Sequence, residues 1–95
     1  MIENLIKKIS KKNVSFGIIG LGYVGLPLAY EFSSAGFRVI GFDKDISKLN
    51  KINKYESYIE RISNSNLKQL KNYDFKTSKN YKDVMKIDII ILCLP

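Results

Sequence analysis

The sequence contains no histidine and no tryptophan, and only one cysteine and two prolines in 95 residues. Without histidine it has no imidazole to act as a base or as a metal ligand near neutral pH. No Cys/His cluster exists, so neither a zinc nor an iron site is predicted. The lone Cys93 cannot form an internal disulfide. It falls in an apolar stretch with no lysine next to it, which reads as a buried, inert thiol rather than a nucleophile. No apolar run reaches the roughly 18 residues of a membrane span. The N-terminus lacks an apolar core followed by small residues, so no secretory signal is read. With one cysteine and no such signal, a cytoplasmic setting is expected.

Acidic residues are also scarce, with nine Asp and Glu against sixteen Lys and Arg for a net charge of +7. Four lysines (Lys7, Lys8, Lys11, Lys12) sit in the first twelve residues, and the rest are scattered among acids. Clustered basic charge would suggest nucleic acid. Dispersed charge suggests a solvated surface, and no nucleic-acid partner is expected. The excess of Lys over Arg, with many Ile and Asn, looks like low-GC codon usage. A 45% hydrophobic fraction is enough to build one small packed domain.

What is present is a pattern of alternating elements. Ile2, Leu5, Ile6 and Ile9 recur at helical spacing, which predicts an amphipathic helix within residues 1–13 that packs on the domain or on a partner subunit. Val14 to Ile19 predicts a strand covered on both faces. Val24 to Ala35 predicts a helix, with Pro27 in its first turn and Gly36 as its stop. Phe37 to Phe42 predicts a second strand, and Ile46 to Lys54 a helix capped by Asp45 or Ser47. Tyr55 to Ile62 has no clear period. Ser63 to Asn66 predicts a turn that caps a helix over Leu67 to Asn72. Phe75 to Thr77 predicts a short strand, Asn80 to Met85 a helical turn, and Ile87 to Leu94 a last strand, also covered on both faces. This series implies an α/β fold: a partial Rossmann fold over residues 14–95. Its parallel sheet would have about four strands in the order 3-2-1-4, with flanking helices.

Between the first strand and its helix lies Gly20-Leu21-Gly22-Tyr23-Val24-Gly25. A bare G-x-G-x-x-G is weak, but strand, glycine turn, helix, strand and then Asp43 make up the dinucleotide-binding fingerprint. Gly20 would let the chain turn off the strand. Gly22 would admit a diphosphate without a Cβ in the way, and Gly25 would let helix and strand pack closely. The backbone N–H groups of Tyr23 and Val24 would face the phosphates at the helix start. Asp43 would accept hydrogen bonds from ribose hydroxyls and repel a 2′-phosphate, which favours NAD over NADP. Lys44 and Lys48 soften that repulsion. Read without the glycine motif, Asp43 would be a helix cap or a solvated acid.

The ten residues Gly20 to Ala29, with their Tyr-Val and Leu-Pro-Leu-Ala extensions, resemble the opening of the UDP-glucose/GDP-mannose dehydrogenase family. Val39 to Asp43, with Asp45 and Lys48, continue the resemblance. So does Asp88 to Pro95, where Leu94 stands in place of the more usual Val. Ser57-Tyr58-Ile59 and Ile62 resemble the branch that oxidises UDP-N-acetylhexosamines, especially the UDP-N-acetylglucosamine 6-dehydrogenases. The resemblance implies NAD as cofactor, a UDP-sugar as substrate and a homo-oligomer. It implies oxidation of the sugar C6 alcohol to a carboxylate through a cysteine thioester. It implies cofactor contacts at Gly20, Gly22, Tyr23, Val24, Gly25, Asp43, Lys48 and Pro95. Cys93 does not match the family's nucleophile, so no catalytic residue is assigned in this chain, and the chain alone is expected to be inactive.

The final apolar strand, with no crossover helix after it, reads as the end of a piece cut from a longer enzyme. The sugar-binding part is then expected in segments beyond it. Two alternatives stay open: a non-catalytic nucleotide-binding module, and a domain of another β-hydroxyacid-type dehydrogenase.

Overall fold

The mostly apolar stretch after Asn13 forms one of the two inner strands of a four-stranded parallel sheet. In the computed structural model, which describes residues 13–93, this is β1 (Ser15–Ile19). It is followed by α1 (Gly25–Ser34), β2 (Arg38–Phe42), α2 (Ile46–Asn53), α3 (Asn64–Gln69), β3 (Phe75–Ser78) and β4 (Ile89–Leu92). Short 3-10 segments, Leu70–Asn72 and Tyr81–Lys86, precede β3 and β4. The amphipathic stretch Ile2 to Ile9 and the candidate Pro95 lie outside the described residues.

The strand order is β3-β2-β1-β4, the expected 3-2-1-4, and every neighbouring pair is parallel. Parallel strands need crossovers, and right-handed crossovers from β1 through β3 put α1, α2 and α3 on the same face. That face holds the core. Phe16, Ile18 and Val39 from the sheet pack with Leu21, Leu26, Ala29, Leu49, Ile52, Ile62, Leu67 and Leu70. Fully burying one such side chain contributes about 1.5–3 kcal/mol. Phe16 stacks on Phe32 at 4.2 Å between centroids and meets Phe37 edge-on at 5.2 Å.

The helix ends follow local chemistry. Asp45 caps α2 by accepting the Ser47 N–H. Ser63 and Asn66 form a reciprocal capping box on α3. This starts α3 at Asn64, three residues earlier than the pattern predicts, because the turn-like residues themselves form its first turn. At the end of α1 the Phe37 N–H bonds to the Phe32 carbonyl and the Gly36 N–H to the Ser33 carbonyl. These two bonds close the helix and bring the rings of Phe32 and Phe37 together.

The last strand differs from its expectation of cover on both faces. β4 spans only Ile89–Leu92. Ile89 and Ile91 pack against the core, but Ile90 and Leu92 are exposed. The cause is the crossover. Only the 3-10 segment Tyr81–Lys86 lies between β3 and β4, and it is too short to cover that side of the strand.

Candidate functional site

The site begins where β1 runs out. The Gly20 N–H bonds to the Phe42 carbonyl at 2.8 Å, which carries the ladder one residue past β1. Gly20 then turns at φ 100°, a left-handed conformation that side chains disfavour. Five residues on, Gly25 opens α1 against the same turn. A Cβ on Gly25 would stand 1.7 Å from the Gly20 carbonyl oxygen, so only glycine fits. Gly22 is different: a Cβ there would meet nothing within 4 Å. Gly22 therefore opens onto free space, while Gly20 and Gly25 lock together.

That space is a cleft of about 1020 Å³. Gly20, Gly22, Tyr23 and Val24 line one end, and Asp43, Lys44, Asp45 and Lys48 line another part of it. Ile19, Ile91, Leu92 and Cys93 contribute from β1 and β4. Six of the eight sequence-predicted cofactor residues thus line one cleft. Gly25 stands just behind it, as the spacer that brings α1 in, and Pro95 lies outside the described residues. Tyr23 and Val24 expose their side chains. No side chain caps the start of α1, and its first turn has no acid. No acid of its own first turn thus offsets its partial positive charge, which is worth about 0.3–1 kcal/mol to an anion at an exposed position.

Asp43 is buried. Its Oδ2 accepts the Leu21 N–H at 2.9 Å, and its Oδ1 accepts the Asp45 N–H at 2.9 Å. Lys48 Nζ lies 3.9 Å from Oδ2. Asp43 is thus neither a helix cap, a role that falls to Asp45, nor a solvated acid. It ties the end of β2 to the glycine turn. Each carboxylate oxygen can accept a further hydrogen bond.

Sequence reasoning gave no site role to Tyr58. Its hydroxyl donates to the Leu21 carbonyl at 2.5 Å, and its ring lies 5.9 Å from Lys48 Nζ. Burial, with the nearby charges of Asp43 and Asp45, pushes its phenol well above the usual tyrosine range. The contact bridges 37 positions in sequence, so no local pattern announces it. Cys93 was expected to be sealed in the core, but it is only partly buried and borders the cleft. Desolvation pushes its thiol up, which disfavours the reactive thiolate.

The model of the UDP-glucose/GDP-mannose dehydrogenase family, NAD binding domain, matches residues 13–95. The chain belongs to this family.

Within the family, Protein CapL of Staphylococcus aureus is 37% identical over 84 residues, which cover 87% of this chain and 19% of that protein. A UDP-N-acetyl-D-glucosamine 6-dehydrogenase of Pseudomonas aeruginosa is 30% identical over 84 residues, covering 88% of this chain and 19% of that protein. Among solved structures, a UDP-D-ManNAc dehydrogenase from Pyrococcus horikoshii superposes with a TM-score of 0.78 at 30% identity. It covers 85% of this chain and 20% of that one. The chain thus spans about a fifth of the length of these relatives. The resemblance to the UDP-N-acetylglucosamine branch narrows to the family level, because several family members match this chain comparably and none stands apart. Among the described residues, no helix is long and apolar enough to cross a membrane.

Proposed function

We propose that the chain binds NAD and serves as the cofactor-binding part of a nucleotide-sugar dehydrogenase. The observation that carries this is Gly22. It faces open space beside the uncapped start of α1, in the same cleft that runs to Asp43. Anions fit at such a helix start, and a carboxylate at the end of the second strand fits a ribose diol. The residues present therefore suit the dinucleotide. Gly22, Tyr23 and Val24 would hold the diphosphate through backbone N–H groups, and Asp43 would hold the adenosine ribose. Lys48, 3.9 Å from Asp43 in the same cleft, offsets part of that carboxylate's charge, and the preference for NAD rests on Asp43. Once bound, NAD supplies a hydride acceptor.

The substrate reading is a UDP-N-acetylhexosamine whose C6 alcohol is oxidised to the carboxylate. The names of two relatives, acting on UDP-N-acetylglucosamine and on UDP-ManNAc, support this class of sugar. The sugar and the nucleophile would be held by segments beyond this chain. The raised thiol of Cys93 fits no covalent role here. A homo-oligomer is part of the same reading, supported by the exposed apolar residues Ile90 and Leu92.

Calorimetric titration of the 95-residue chain with NAD, NADP and ADP-ribose tests the cofactor assignment. NAD and ADP-ribose should bind, and NADP more weakly. Tighter binding of NADP would overturn the role given to Asp43, and no binding of any of the three would overturn the cofactor reading.

A further inference from the structure

We infer that Tyr58 is a positioning residue for the glycine turn: held behind the turn, its hydroxyl fixes the Leu21–Gly22 peptide so that the Gly22 N–H is aimed at the diphosphate. The inference rests on the NAD-binding reading and deepens it.

One peptide group links the two sides of the turn. Tyr58 donates to the Leu21 carbonyl, and the N–H on the far side of that peptide belongs to Gly22. The chain has no cis peptide among the described residues, so this carbonyl and this N–H point in opposite directions. Gly22 lines the cleft, and Tyr58 is not among the residues that do. The hydroxyl behind therefore turns the donor in front toward the open side, where no Cβ obstructs it. A hydrogen bond at a peptide carbonyl also polarises that peptide, by about 10–30% in condensed-phase estimates, and strengthens its N–H as a donor.

Leu21 is held on its other side too. Its own N–H is bound by Asp43, and its side chain is fully buried. With Asp43 on one peptide and Tyr58 on the next, the turn cannot swivel. The strap that carries Tyr58 is itself fixed. The Ser57 N–H donates to Asn64 Oδ1 at 2.7 Å, and the Ser57 hydroxyl bonds to the carbonyls of Ile59 and Ile62. A phenol is protonated, and so a donor, throughout the neutral range, and the upward shift extends this into the alkaline range.

Tyr58→Phe keeps the ring and its contact with Lys48 and removes only the hydroxyl. In the ligand-free chain, the Gly22 amide resonance in a ¹⁵N–¹H NMR spectrum should move more than that of Gly25. Calorimetric NAD affinity should fall about two- to tenfold, the range of one net hydrogen bond. Affinity for adenosine, which has no diphosphate, should not change. Unchanged NAD affinity overturns the inference, as does an unmoved Gly22 amide. An equal loss for adenosine overturns it as well, since that is what a merely structural role produces. So does loss of a cooperative thermal melt in Tyr58→Phe, because the hydroxyl would then hold the fold rather than aim an amide. If the unmutated chain binds no NAD, the cofactor reading itself fails, whatever the variant does.

Discussion

Asp43 has a structural task that precedes any ligand. Its two oxygens take the N–H groups of Leu21 and Asp45, so one side chain holds both the glycine turn and the entrance to α2. Asp43→Ala leaves the Leu21 N–H buried without an acceptor. An unsatisfied buried donor costs about 1–3 kcal/mol. Urea unfolding of this variant should therefore show a lower midpoint with an unchanged slope, and an unchanged midpoint would refute the structural role. Position 43 was legible in the sequence because a strand end and a glycine motif at the right spacing identify it. Its double bonding was not legible, since it depends on where the turn after β1 brings the Leu21 N–H. Tyr58 was less legible still. Its partner is a backbone carbonyl, which any residue could supply, so neither side of the contact leaves a mark in the sequence.

At the scale of elements, α1, α2 and all four strands follow from periodicity and caps. The stretch from Tyr55 to Ile62 does not, because side-chain bonds such as those of Ser57 and Asn64 organise it, rather than a repeating apolar face. It begins at an unusual helix stop. After the C-cap Lys54, Tyr55 sits at φ 61°. Its N–H bonds to Ile52, and the next N–H, of Glu56, reaches Lys51 at 2.8 Å. Glycine normally takes this place, and the left-handed conformation costs other residues about 1–2 kcal/mol. Tyr55 borders a smaller cleft of about 390 Å³ together with Ile52, Leu70 and Phe75, but it is not part of the core cluster. With the residue 37% exposed, burial of its side chain offsets little of that cost. Tyr55→Gly should thus raise stability, by about 0.5–1 kcal/mol after the greater freedom of glycine in the unfolded chain is counted. Thermal melting gives the sign directly, and a lower melting temperature would mean that the ring contacts outweigh the backbone strain.

Across the whole molecule, the two faces of the sheet are unequal. Three helices cover the face of Phe16 and Ile18, and successive residues on a strand point to opposite faces. The register pairs Gly17 with Ile90 and Ile19 with Leu92, so these four share the second face. There Tyr81 stacks on Phe42 at 5.9 Å and shields the β2 side. The β4 side stays open: Ile90 is 43% exposed and Leu92 66%. Among the described residues β4 is also an edge strand, with no other strand on its outer side. An exposed apolar edge of this kind is a template for pairing. The 95-residue chain should therefore associate with a second copy through β4 as its concentration rises. Sedimentation velocity over a hundredfold range of concentration measures this. A rising sedimentation coefficient is expected for the unmodified chain, and a nearly constant one for Ile90→Lys, whose charge opposes burial of the strand. Ile90 does not line the cleft between the glycine turn and Asp43, so Ile90→Lys should bind NAD as the unmodified chain does. A chain that stays monomeric throughout, or an Ile90→Lys variant that associates equally well, would show that β4 is not the pairing edge.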